Sequence, residues 1–439
     1  MTPYNMDKET AKQTVMQKIE QNSDRIIDFA NDIWDNPELG FKEHRTAGKV
    51  MEFFDELGLQ YKSGMARTGV RADVSGKSHK YRIAVLGELD AVTCGDHPDA
   101  DPETGAVHAC GHHGQLAVML GTALGLISSG LSEQLSGDLS FIAVPAEEFV
   151  ELDFRNKLKE KGEIEFFGGK QELIRQGIFD DIDMAAMVHH QAETPERVIK
   201  VSSGSNGFVG KEVIYKGQES HAGAAPHQGV NALNAAMLGL MGIHAQRETF
   251  KDEDAIRVHP IITKGGDLVN IVPSDVKLET YVRGRNINAI LDANKKVNKA
   301  LKGGAYTIGA EIDIKEIPGY LPVEADPNMN KLYGNNVQAI LGDNGLETIK
   351  AVAGSTDMGD ISQLMPAIHP YVGGVEGKAH ARDYKITDPT MAYVIPAKAM
   401  ACMIIDLLWD DAREAKNIKE YYQPQYTKED YLKMWRSLE

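Results

Sequence analysis

The sequence predicts an α/β fold in which a main domain is interrupted by a smaller inserted one, and three observations carry that reading. Two β-rich runs, YRIAVLGEL (residues 81–89) and DLSFIAVPA (138–146), flank a helix that begins after Cys110, which is the strand-helix-strand rhythm of an α/β sheet. Near residue 200 the pattern changes to β-α-β-β-α-β, the split arrangement of a compact ferredoxin-like module. The 439 residues exceed one average domain and suit two, or one large domain carrying an insertion.

Taken in order, KETAKQTVMQKIEQNSDRIIDFANDIWDN (8–36) reads as helix, and TAGKVMEFFDELGL (46–59) as a second amphipathic helix ended by Gly58. After the two strands comes a third apolar strand, IDMAAMVHHQAE (182–193). The insertion supplies strand 208–217, helix 229–250, strands 257–266 and 275–285, helix 288–309 and strand 310–319. The main domain resumes with helix 328–343 and closes with helix 393–412, and the polar stretch after Ala412 reads as surface helix and loop. The expected division is therefore 1–202 with 318–439 for the main domain and 203–317 for the insertion.

Composition narrows the function. A formal charge of -17, from 64 acidic against 47 basic residues, repels polyanions and argues against nucleic acid or an anionic membrane as partner. No uninterrupted apolar run approaches ~20 residues, and the polar first 24 residues lack the apolar centre of a secretory signal, so the expected location is the cytoplasm. Cys94, Cys110 and Cys402 are odd in number and far apart, which fits reduced thiols.

Four segments hold residues suited to metal chemistry. In HACGHHG, Cys110 and His112 can converge only in the irregular turn before a helix, whose N-terminus helps hold a thiolate ionised. Alone, Cys-x-His is more often a buried cysteine beside a surface histidine. In VPAEE, Glu147 and Glu148 follow a strand's C-terminal end, where open α/β sheets place ligands; one could ligate a cation while the other acts as general base. His189 and His190 end the third strand, and alternation lets only one of them face the site. His380 lies in the Gly-rich loop GGVEGKAHARDY.

With these residues in place, the sequence resembles the aminoacylase/carboxypeptidase family of dinuclear metallopeptidases. It is most similar to the amidohydrolase branch that holds aminobenzoyl-glutamate hydrolases, indole-acetyl-amino-acid hydrolases and aminoacylase-like dipeptidases. The resemblance runs through WDNPELGFKE, GELDAV, HACGHHG, VPAEE, SHAGAAPHQGVNAL, NIVPSDVKLETYVR, GSTDMGDIS and AIHPY. It implies a zinc-peptidase-like three-layer α/β/α catalytic domain with an inserted ferredoxin-like lid, which is also the dimerisation domain of a homodimer.

The resemblance further implies that Cys110 bridges two divalent ions, with His112 and Glu148 on one and His189 and His380 completing the pair. Glu147 would be the general base, and Asp90 of GELDAV a carboxylate that orients an imidazole ligand. Equally, Asp90 reads as a polar strand-end residue. In the lid, His221 of SHAGAAP would stabilise the tetrahedral oxyanion, Asn270 would contact substrate, and Arg283 would hold a substrate carboxylate or make a surface salt bridge. His227 and His259 suit capping or packing at least as well. A thiolate with imidazoles suits zinc, and carboxylates admit manganese. The implied activity is hydrolysis of an amide bond in a small N-acyl amino acid, dipeptide or aminobenzoyl-glutamate-like compound. Two competing readings are a thiol hydrolase with Cys110 as nucleophile, which leaves Glu147, Glu148 and His380 without roles, and a non-catalytic metal- or ligand-binding relative, which has no need of Glu147.

Two departures from the family pattern stand out. The position after His112 is usually Asp and is His113 here, which offers an alternative imidazole. The charged segment from residue 149 to 174 is longer than the common loop, and it is expected to border the pocket or cover an edge.

Overall fold

The computed structural model describes residues 6–438, which fall into two compact units. The first comprises residues 6–204, Glu324–Ala351 and Asp360–Lys428. The second comprises Ser205–Val323, Val352–Gly359 and residues 429–438.

The expected first helix is two, α1 (Lys8–Gln21) and α2 (Ser23–Trp34). Asn22 separates them: its backbone N–H donates to the Ile19 carbonyl and its side-chain amide to that of Lys18, so α1's last carbonyls are met without continuing the helix. Helix α3 (His44–Glu56) ends as the sequence predicts, with Gly58 at φ +71°.

The main sheet contains β1 (Tyr61–Met65), β2 (Gly69–Val74), β3 (Arg82–Glu88), β4 (Asp138–Val144) and β5 (Met184–Ala186). Their spatial order is β1-β2-β4-β3-β5, with Ala367–Ile368 beyond β5; β4, β3 and β5 run parallel. All seven residues of β4 are buried. Successive side chains point to opposite faces, so burial of every one means that the sheet is covered on both sides, as a three-layer architecture requires. Helix α4 (His112–Ser128), packed against β3, is apolar around most of its circumference and buried from His112 to Leu126. Its Leu116, Leu120 and Leu124 each contribute about 1.5–3 kcal/mol by leaving water.

The third apolar run is not one strand. After Met184–Ala186 the chain leaves the main sheet, and His189–His190 pairs in parallel with Tyr371–Val372 in a four-stranded sheet. The change of partner occurs where Met187 and His189 donate to the carbonyls of Ile368 and Pro370. Alternation within the short strand still sends the two histidines to opposite sides. The His190 side fixes two glycines: a Cβ on Gly114 would lie 2.1 Å from the His190 ring, and Gly111, at φ +96°, would meet it at 2.4 Å.

The second unit carries β6 (Gly207–Lys216), α6 (Ala232–Gln246), β7 (Ile261–Lys264), β8 (Asp275–Gly284), α7 (Ile287–Ile308) and β9 (Glu311–Ile317); α5 (Leu152–Glu160) belongs to the first. The sheet order β7-β8-β6-β9, antiparallel throughout, realises the β-α-β-β-α-β pattern. The expected single strand over 257–266 is broken: Arg257–Val258 and Ile261–Lys264 flank Pro260, which has no N–H to give a ladder.

The first unit resumes with α8 (Pro327–Leu341), capped by the Asp326 carboxylate, and ends its core with α9 (Ile395–Leu408). The helical run Thr390–Leu408, interrupted by Lys398 and Asp406, is long and apolar enough by composition to cross a bilayer, but nearly all of it is buried in the core. The tail is also more than surface: Tyr431 and Trp435 are fully buried.

Candidate functional site

The carboxyl ends of the parallel strands bring the chemistry together in the first unit. Glu88 ends β3, with Asp90 two residues on; Glu147 and Glu148 follow β4; His189 follows β5. Cys110 precedes α4, and His380 sits on the loop between the paired segments Val375–Glu376 and Lys385–Ile386. The His380 N–H donates to the Ala109 carbonyl, which pins this loop beside Cys110. Two non-glycine residues here adopt positive φ, Ala146 (53°), just before the glutamates, and His380 itself (60°).

Donor atoms converge in three groups, each within 4.8 Å: Cys110, His112 and His189; Cys110, Glu148 and His380; and Glu88, His112 and Glu147. Cys110 Sγ is 3.4 Å from His189 Nε2, and Glu148 Oε1 is 3.0 Å from His380 Nε2. This division differs from the one the resemblance implies: His112 groups with His189, and Glu148 with His380. Glu147 Oε2 lies 3.8 Å from His112 Nε2.

Asp90 orients the cluster. His112 Nδ1 donates to its carbonyl at 2.8 Å and is 3.3 Å from its carboxylate, whose other oxygen accepts from the Glu148 N–H. The His112 proton is thus fixed on Nδ1, and Nε2 is presented to the donors. His112 Nε2 and Glu148 Oε1 are buried without a hydrogen-bond partner despite carboxylate and imidazole neighbours at 3.0 Å. Such orphaned atoms are where a cation fits.

Electrostatics separates two classes of histidine. Burial opposes the charged form of His112 and His189, but Glu88 and Cys110 outweigh it for the first and Cys110 for the second, so both pKa values rise. Cys110 and Glu148 push His380 up to about 11. Conversely, burial and Glu148 resist ionisation of Cys110, yet His189 and His112 bring the thiol down to about 6. Glu148 falls to about 2, because His380 and His112 outweigh its burial. The thiolate and carboxylates that favour the charged imidazoles would equally favour a bound cation. His108, His190 and His369, by contrast, are driven down to about 3 by burial. His113 is no substitute ligand: it is turned into the core, with Nε2 at the Tyr393 hydroxyl and its ring edge-on to Trp34. His190 faces the Ala392 carbonyl.

The long segment 149–174 does more than border the site. Arg155, almost completely buried, donates to the carbonyls of Glu148 and Phe167, and Lys170, fully buried, donates to Glu88 at 2.5 Å. Behind the glutamates, fully buried Glu43 accepts from the Ala146 N–H and the Thr68 hydroxyl. Burial and then Asp90 raise its pKa from 4.5 to about 7. Between those values the folded protein holds a proton that the unfolded chain has released, so this stabilisation is lost as pH rises through 7 and amounts to about 3 kcal/mol. In chelated protein, Glu43→Gln, whose amide suits both partners, is expected to melt as the wild type does near pH 4 and at higher temperature at pH 8, which thermal melts at the two pH values would check.

Three sequence-assigned residues lie in the second unit. His221 is exposed, and its Nδ1 accepts from the backbone N–H groups of Gly223 and Ala224, so its ring proton is on Nε2. Its backbone bridges to Ile271, and exposed Asn270 accepts from the Ala222 N–H through its carbonyl. Arg283 packs its guanidinium near the rings of Phe208 and Tyr281. His227 and His259 are exposed, with His259 edge-on to Tyr281.

The family model described as peptidase family M20/M25/M40 matches residues 84–405. Among characterised relatives, the Xaa-Arg dipeptidase of Mus musculus is 29% identical, covering 92% of this chain and 90% of its own length. A Bacillus subtilis structure described as a dinuclear metal binding peptidase aligns with a TM-score of 0.68 at 21% identity, over 89% of this chain and 99% of that one. An aminobenzoyl-glutamate utilization protein from Klebsiella pneumoniae aligns at 0.67 and 19%, over 90% and 98%.

Proposed function

The chain belongs to peptidase family M20/M25/M40, and from that premise we propose that it is a dinuclear metal-dependent amidohydrolase. Its substrate class is a small N-acyl amino acid, dipeptide or aminobenzoyl-glutamate-like compound. The observation that carries the proposal is the pair of three-donor groups sharing the Cys110 thiolate, with a second glutamate beside them. Cys110, His112 and His189 would hold one divalent ion, and Cys110, Glu148 and His380 the other, zinc or manganese by the mixture of thiolate, imidazole and carboxylate. When bound, the ions would polarise the substrate carbonyl and acidify the attacking water.

Glu147 takes the proton from that water and returns it to the departing amine. Asp90 keeps His112 in the tautomer that presents Nε2. His221 offers its Nε2–H to the oxygen that gains negative charge, a donor role supported by its motif and by the two N–H groups that fix its tautomer. Asn270 and Arg283 are assigned to substrate contact on motif alone. The three cysteines, all free and buried, suit a reducing compartment, and we assign the protein to the cytoplasm.

The proposal is tested by incubating manganese- or zinc-loaded protein with dipeptides, including some ending in arginine, N-acyl amino acids and aminobenzoyl-glutamate. Mass spectrometry should detect free amino acid, and chelation should abolish its release.

We further propose a homodimer through the second unit. Strand β7 is a sheet edge with Ile261 and Ile262 exposed, and on α6 the exposed Met237 and Met241 continue the stripe from Leu233, near the end of β7. An exposed apolar edge strand invites pairing with another chain. Sedimentation should give twice the 48.1 kDa chain mass, reduced to the monomer by Ile261→Lys with Met241→Glu.

A further inference from the structure

Arg155 is a buried charge that the proposed reaction does not use. It stands on α5, inside the segment that lengthens the chain after the glutamates, and is 1% exposed. Its guanidinium donates to two main-chain carbonyls, that of Phe167 through Nη1 at 2.6 Å and that of Glu148 through Nη2. Nε is left buried without a partner, so the side chain keeps those two bonds at the expense of a third. Gly40 and Phe41 make the space for it: a Cβ on Gly40 would lie 2.6 Å from Nη2 and 3.0 Å from Ala146, and the guanidinium is 5.3 Å from the centre of the Phe41 ring. Glu148 and Phe167 flank α5, so one planar fork ties together the two ends of the stretch between them.

The backbone of Glu148 is thereby held on both sides. Its N–H donates to Asp90 Oδ2 at 2.8 Å, and its carbonyl accepts from Arg155 and from the Val150 N–H at 2.9 Å, which uses both lone pairs. Ala146, two residues earlier, is held likewise, with its N–H on Glu43 and its carbonyl on the Gly169 N–H. We infer that Arg155 is a positioning residue of the metal centre: it fixes the main chain of Glu148, and so the carboxylate that would share an ion with Cys110 and His380. The inference rests on the metal reading above and deepens it. A longer connection leaves its anchor residues freer to move, and a guanidinium that joins both ends removes that freedom. Arginine suits the task because its two terminal nitrogens, fixed in one plane, reach two carbonyls at once. Cys110, His112 and His189 stand on other segments, and neither of the Arg155 hydrogen bonds reaches them, so its removal acts on one ion.

Cobalt(II) titration of chelated protein, followed by calorimetry, tests this without any measurement of turnover. The wild type should bind two ions in two steps. Arg155→Met keeps the apolar stem but loses both hydrogen bonds; one step should weaken about 10–100-fold, the usual cost of losing support behind a ligand, with the other unaltered. Glu148→Gln identifies the step: it should weaken the same one, and adding Arg155→Met to it should cost less than Arg155→Met costs alone. Lys42→Met breaks the ion pair with Glu151 at the start of α5 without touching Glu148, and should leave both steps as in the wild type. Arg155→Lys keeps the buried charge on a single nitrogen and should show a smaller loss at the same step; it carries the test if Arg155→Met does not fold. Unchanged steps in the Arg155 variants, or an equal weakening in Lys42→Met, overturn the positioning role while leaving the dinuclear reading intact. A wild type that binds no cobalt overturns the metal reading and this inference with it.

Discussion

Replacing Glu147 by glutamine lowers kcat by about 10²–10⁴-fold while metal content and substrate affinity stay near those of the wild type. The amide is isosteric, so the loop after β4 need not move, but it can neither accept a proton from water nor pass one to the leaving amine. Glu147 is also separate from the donors that close the two groups: its carboxylate is 3.8 Å from His112 Nε2, whereas Glu148 and His380 are 3.0 Å apart. Steady-state kinetics with metal analysis of the same samples check this. A fall in kcat with both ions retained marks a base; a parallel loss of metal would make Glu147 a ligand instead.

The second large effect is expected at Cys110. Its Sγ belongs to both donor groups, so Cys110→Ala removes one ligand from each ion at once. Both affinities should fall more than about 100-fold, beyond the usual cost of a supporting contact, and hydrolysis should disappear. The apo protein changes too. The thiolate raises the pKa values of His189 and His380, so without it both should fall, and proton NMR of the imidazoles should show them titrating at lower pH. A thiol hydrolase would also lose activity in this variant, but it would keep its metal-independent turnover in chelated wild type and lose it on alkylation. Metal content and chelator sensitivity therefore separate the two mechanisms.

Much of this site is legible in the sequence because its donors sit at places that local pattern identifies. Glu147 and Glu148 follow an apolar strand, Cys110 opens an apolar helix, and His189 ends a third apolar run, so strand ends and a helix start suffice to nominate them. The contacts that support them leave no such trace. Glu88 meets Lys170 across 82 positions, and Glu43 reaches Ala146 across 103. In a linear reading, Lys170 and Arg155 belong to a charged segment that looks solvated, yet both are buried against site residues. The one available signal for Glu88 was its position two residues before Asp90, which puts both side chains on one side of the extended chain end. The break at Asn22 and the passage from β5 to His189 were likewise invisible to periodicity, because each depends on which carbonyl a backbone N–H finds. The second unit was the easier part: β8 and β9 alternate along most of their length and its two helices are long, whereas Pro260 and the register shift after Ile262 interrupt the run over 257–266.

Hydrolysis measured against equivalents of manganese or zinc added to chelated protein tests the central claim most directly. Cleavage of a dipeptide or N-acyl amino acid should be absent without metal, reach a plateau at two ions per chain and be missing from Cys110→Ala. Turnover that is indifferent to chelation, or no cleavage of any such amide with both ions bound, would contradict it.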